Sequence, residues 1–139
     1  MEELDELHRI IQDVKNDEDL EKIKIFLKKL QEFIPPHPDT MIELASFGNR
    51  SYFLTNDGVV VRFAPSSEEG LPFLYIPTRH VSYDDIPPQI LNNVRKNLNV
   101  ILKKVYDTIS TWIRSVPNTN PMYIKIQKLI KYLENLNLY

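Results

Sequence analysis

SYFLTNDGVVVRFAPSSEEGLPFLYIPTRH, residues 51–80, decides the fold, because it is the stretch that reads as β-structure between two regions of amphipathic helix. SYFLT and VVVRF are β-branched and aromatic runs. They are joined by Asn56, Asp57 and Gly58, which tolerate the left-handed backbone a tight hairpin needs. APSSEEGLP then reads as a polar loop, and FLYIP as a third strand returning antiparallel. Alternation puts Tyr52 and Leu54 on one face with Val59, Val61 and Phe63, so a helix must cover that face.

Upstream, Leu4, Leu7, Ile11 and Val14 recur at helical spacing, as do Leu20, Ile23, Leu27, Leu30 and Ile34, and NDED separates the two sets. Asn16 or Asp17 is expected to cap the second helix, and PPHP (residues 35–38) to end it. The next segment, MIELASF (residues 41–47), has two readings. Thr40 with Glu43 forms a capping box for a short helix, which is the reading preferred, and an edge strand is the alternative.

Downstream, Asp84 or Asp85 is expected to cap a helix with Pro87 and Pro88 in its first turn. Leu91, Val94, Leu98, Ile101, Val105, Ile109, Trp112 and Val116 predict that it runs unbroken to about Ser115 as a lid on the sheet. After PNTNP, Asn120 and Pro121 start the last helix, packed antiparallel on its predecessor. The expectation is an α+β fold in one domain, 1–139. It has four helices in two antiparallel pairs (1–34 and 85–138), with a small antiparallel three-stranded β-meander inserted at 39–80.

Composition limits function. A chain of 139 residues suits a single core. The absence of cysteine removes thiol nucleophiles, disulfides and thiolate metal sites, and suits a reducing cytoplasm. Met1 is followed by acids instead of a basic and then apolar leader, so no secretory signal and no membrane span is expected. His8, His37 and His80 show no metal-ligand spacing, and Gly48, Gly58 and Gly70 form no phosphate-cradling loop, so no metal and no cofactor is expected.

Charge is divided unevenly. Residues 1–88 carry nine Lys and Arg against seventeen Asp and Glu, a balance of −8, whereas residues 89–139 carry eight against two, a balance of +6. The two halves can pair with each other, or each can face a different partner. At 100° per residue Lys96, Lys103 and Arg114 share a side of the long helix, flanked by Arg95 and Lys104, with Asp107 as the one acid. Such a face suits phosphates, an acidic protein surface or plain solvent. A second candidate is the polar group at the strand-to-helix junction, Tyr75, Arg79, His80 and Asp84, where a histidine near a carboxylate could act as a general base. A third is the apolar excess of the second helix at Ile25 and Phe26, suited to self-association.

Together these features favour a non-enzymatic accessory or adaptor protein. It would bind a protein partner or a second copy of itself, with the basic helix face as a site for nucleic acid. The alternative is a small enzyme working around Arg79, His80 and Asp84.

Overall fold

The computed structural model describes residues 2–63, 78–136 and 138. Helices α1 (Glu2–Asn16) and α2 (Leu20–Gln31) open the chain. The strands β1 (Ile42–Phe47), β2 (Arg50–Thr55), β3 (Gly58–Phe63) and β4 (Thr78–Val81) follow, and then the helices α3 (Pro88–Lys96), α4 (Leu98–Arg114) and α5 (Tyr123–Glu134). The described residues therefore form five helices and one antiparallel sheet of four strands in the order β1-β2-β3-β4, where the sequence predicts four helices and three strands. Among these residues no helix is long and apolar enough to cross a membrane.

Three local facts account for the difference in count. First, MIELASF is a strand, not a helix. Thr40 caps nothing: its buried hydroxyl lies 2.6 Å from the Pro35 carbonyl and 2.7 Å from that of His37, inside a turn that the prolines impose. Gly48, at φ +62°, and Asn49 then make a two-residue reversal, and Phe47 pairs with Arg50 across it.

Second, β4 is Thr78–Val81, paired with β3, and the expected third strand at 73–77 lies outside the described residues. Third, the long helix breaks at Asn97. Its side-chain Nδ2 donates to the Asn93 carbonyl at 3.0 Å and to Asn93 Oδ1 at 3.1 Å, sharing the carbonyl with its own amide. The backbone at Asn97 turns to φ −114°, ψ 31°, which ends α3 and restarts the helix as α4. An asparagine that offers the backbone a competing partner is a known cause of such breaks.

Caps also differ from expectation. Asp19, not Asn16 or Asp17, caps α2, its Oδ1 accepting from the Glu21 amide at 2.9 Å. Asp84 and Asp85 sit in a single 3-10 turn (Tyr83–Asp85), and Pro87 and Pro88 begin α3 with no side-chain cap.

Four of the five described helices run as two antiparallel pairs, α1 with α2 and α4 with α5. Glu6 and Lys29, 3.2 Å apart, join the start of α1 to the end of α2. Lys103 and Tyr106 of α4 line a cleft with Leu133 and Glu134 of α5. The pairs are joined to each other by Glu3–Lys125 at 3.6 Å and by His8 Nδ1 to the Tyr132 hydroxyl at 2.9 Å. One continuous core results, with Phe26, Phe33, Leu54, Leu91 and Ile101 fully buried between the helices and the inner face of the sheet.

The register fixes which residues share a face. Ala45, Tyr52, Val61 and Arg79 lie in one row across the sheet, and Glu43, Phe53, Val60 and His80 lie in a row on the opposite face. A bulge at Leu44 leaves the β1 backbone out of step with β2, and the helices satisfy it: Asn93 Nδ2 donates to the Leu44 carbonyl at 3.1 Å. Since Thr40 lies beside Thr108, Thr111 and Trp112, while Glu43 lies beside Lys104, β1 runs antiparallel to α4. Glu43 and Leu44 thus face α4 and α3 on either side of the α3–α4 junction, and Phe47 and Arg50 stand at the end of the strands away from Thr40.

Candidate nucleic-acid interface

The break at Asn97 decides where the basic residues go. It divides the expected single helix, so that Arg95 and Lys96 close α3 while Lys103, Lys104 and Arg114 belong to α4. Arg95, Lys96, Asn97 and Asn99 line an open cavity of about 400 Å³ at this junction, with Lys15 and Val14 from the end of α1 as its opposite wall. Three cations thus meet around one concavity, where their fields add. The facing carboxylate is that of Glu18, whose Oε1 is 3.6 Å from Arg95; Glu18 is 90 % exposed. An ion pair that exposed is worth about 0–1 kcal/mol, so an incoming anion loses little by replacing it.

Lys15 is absent from the sequence-based candidates. As a lone base in the last turn of a mostly acidic segment it gives no local signal, and only the packing of α1 brings it to the junction. Of the residues that were expected to share the face, Lys104 extends instead toward β1, its Nζ 3.4 Å from the Glu43 carbonyl. Lys103 lies in the α4–α5 cleft beside Glu134, and Arg114 stands exposed at the far end of α4. The acidic and basic halves do meet, at Glu18–Arg95 and Glu3–Lys125. Among the described residues, Lys96, Arg114, Lys128 and Lys131 form no ion pair.

The strand-to-helix group does not converge. Arg79 and His80 are neighbours on β4 and so point to opposite faces of the sheet. Arg79 lies over the Phe63 ring, its guanidinium carbon 5.6 Å from the centroid, while His80 lines an outer-face cavity with His37 and Arg62. Asp84 is drawn to Lys24 on α2, 3.5 Å away, and Tyr75 lies outside the described residues. Among the described residues no three histidine or carboxylate side chains gather as a metal site would require.

On α2 the two apolar candidates separate as well. Phe26 is fully buried in the chain's own core and presents nothing to a second copy, while Ile25 is 47 % exposed.

A further group, which the sequence reading passes over, lies on the inner face of the sheet at the end marked by the Gly48–Asn49 turn. Phe47, Arg50 and Phe63 are paired in one row. Arg50 lies over the Phe63 ring at 5.5 Å from the β2 side, and Arg79 approaches the same ring from the β4 side. Comparison with protein families, with curated proteins and with solved structures finds no match for the chain.

Proposed function

We propose that this is a non-enzymatic accessory protein of a reducing cytoplasm that binds nucleic acid through the cavity at the α3–α4 junction. The observation that carries the reading is the meeting of Lys15, Arg95 and Lys96 around one concavity, where the carboxylate paired with Arg95 is that of an exposed Glu18. Phosphate oxygens need ammonium and guanidinium groups that release counterions, together with amide donors that position the backbone. The junction offers both, with Asn97 and Asn99 beside the three cations. A catalytic reading has less support, because Arg79 and His80 project from opposite faces of the sheet and Asp84 pairs with Lys24 on α2.

Fluorescence anisotropy with labelled oligonucleotides across a salt series tests the proposal. The wild-type protein is expected to bind, with log Kd rising steeply with log salt. Lys15→Ala with Lys96→Ala should weaken binding to every sequence alike, and each lost phosphate contact should flatten the slope by roughly 0.7–0.9. If the wild-type protein fails to bind at low salt, or if the double substitution leaves affinity and slope unchanged, the reading fails.

A further inference from the structure

We infer that the nucleic acid is single-stranded, and that unpaired bases stack on the exposed ring of Phe47 and on the guanidinium groups of Arg50 and Arg79 that Phe63 holds beside it. The inference rests on the reading of the α3–α4 junction as a phosphate site, and adds to it the kind of strand bound. Phe47 is 61 % exposed, although it is a large ring on a regular strand beside a tight turn. Alone, one exposed ring would say nothing. Its setting is what distinguishes it.

Phe47, Arg50 and Phe63 alternate ring and cation along one row, Arg79 reaches Phe63 from the neighbouring row, and the guanidinium groups of Arg50 and Arg79 lie 5.5 and 5.6 Å from the Phe63 centroid, within the range of cation–π attraction. Those contacts hold both guanidinium groups in place at the margin of the core, on paired strands instead of loops. On the inner face of the four strands the described residues include no Asp or Glu: Glu43 projects from the other face.

Rings and guanidinium planes stack on base faces, and their charge attracts the phosphates between the bases. In a duplex those faces are covered by the neighbouring base pairs, so only an unpaired strand can use such a row. Leu44, three residues before Phe47, is bonded to Asn93, three residues before Lys96, so one strand can lay its backbone along the cations while reaching the row with its bases.

The test compares an oligothymidine single strand with a hairpin duplex of equal charge, bound to wild-type protein, to Phe47→Ala and to the Lys15→Ala, Lys96→Ala protein. Because Phe47 is exposed, its substitution should leave the melting temperature near wild type, and thermal melts check this. The single strand is expected to bind more tightly than the duplex. Phe47→Ala should lower single-strand affinity by about five- to a hundredfold, the effect of losing one stacked base, while duplex affinity and the salt slope stay unchanged. Equal affinity for both forms, or single-strand affinity unaffected by Phe47→Ala, overturns the inference while leaving the phosphate site standing. Loss of neither form in the lysine variant, or no binding by wild type at all, overturns both.

Discussion

Gln31, the last residue of α2, donates from Nε2 to the backbone carbonyl of Asn56 at the tip of the β2–β3 hairpin, at 3.0 Å. Its other end, Oε1, accepts the hydroxyl of Tyr83, which approaches from the turn before α3. One side chain therefore ties the N-terminal helical pair both to the sheet and to the segment leading into the C-terminal helices. The partners are at least half-buried, so water replaces them poorly. Gln31→Ala is expected to destabilise the fold by about 1–3 kcal/mol, because it leaves a phenol and a carbonyl without their partner. Denaturant titration checks this, and a midpoint within error of wild type would mean that the three segments are joined by core packing alone.

The two turn glycines should respond differently to substitution. Gly58, where β3 begins, has φ +117°, a region that residues with a Cβ avoid, although an added Cβ would meet nothing closer than Gln31 Oε1 at 3.8 Å. Its cost is conformational, so Gly58→Ala and Gly58→Val should each lose about 1–3 kcal/mol. Gly48 has φ +62° and open space around it, and asparagine enters that region readily. Gly48→Asn should cost less than about 1 kcal/mol. Equal losses at the two positions in parallel denaturation curves would contradict this account.

Much of this fold can be read from periodicity, and the misreadings have physical causes. The spacing of Leu7, Ile11 and Val14, of Ile23, Leu27 and Leu30, and of Ile126, Leu129 and Leu133 marks three helices whose buried faces include those residues, with Ile10 and Phe26 added by the packing. The Asn56–Asp57 reversal is equally plain, flanked as it is by two β-branched and aromatic runs. MIELASF is misread because a local capping pair outweighs Gly48–Asn49, a hairpin signal that begins five residues beyond Glu43. Thr40 instead satisfies carbonyls of the proline-rich turn.

The helix break is hidden because the apolar stripe passes through it in step. Val94, Leu98 and Ile101 are all buried and helically spaced, and periodicity does not register a side chain that captures a carbonyl. The candidate site is legible only in part. Arg95 and Lys96 are visible as bases in a basic segment, but Lys15, and the alignment of Phe47 and Arg50 with Phe63, depend on contacts between segments distant in the chain.

Asn97 offers a way to separate stability from function. Alanine is the better helix former by roughly 0.5–0.7 kcal/mol, and Asn97→Ala also removes the side-chain bonds to Asn93 that turn the backbone. The substituted protein should keep or slightly exceed wild-type thermal stability. At the same time it should straighten α3 into α4 and move Lys96 away from Lys15, weakening oligonucleotide binding several-fold. A variant that melts well below wild type would show that the break is required by the core, and one that binds as wild type would show that it has no part in the site.

Alkaline pH should weaken the fold through two tyrosines. Burial favours the neutral phenol, and pushes Tyr83 and Tyr132 up from 10.0 to about 12. Below pH 10 both are protonated whether the chain is folded or unfolded, so their contribution does not vary there. Between pH 10 and about 12 the unfolded chain releases protons that the folded chain retains, so unfolding becomes more favourable as pH rises. The useful measurement is the difference between wild type and Tyr132→Phe in thermal melts, in which contributions common to both proteins cancel. At neutral pH the variant should be less stable by about 0.5–1.5 kcal/mol, through loss of the hydroxyl bond to His8. Phenylalanine has no proton to lose, so that deficit should shrink as pH climbs from 10 toward 12. A deficit that stays constant across the interval would mean that the Tyr132 hydroxyl ionises equally in the folded and unfolded chains, and that burial between α1 and α5 does not protect it.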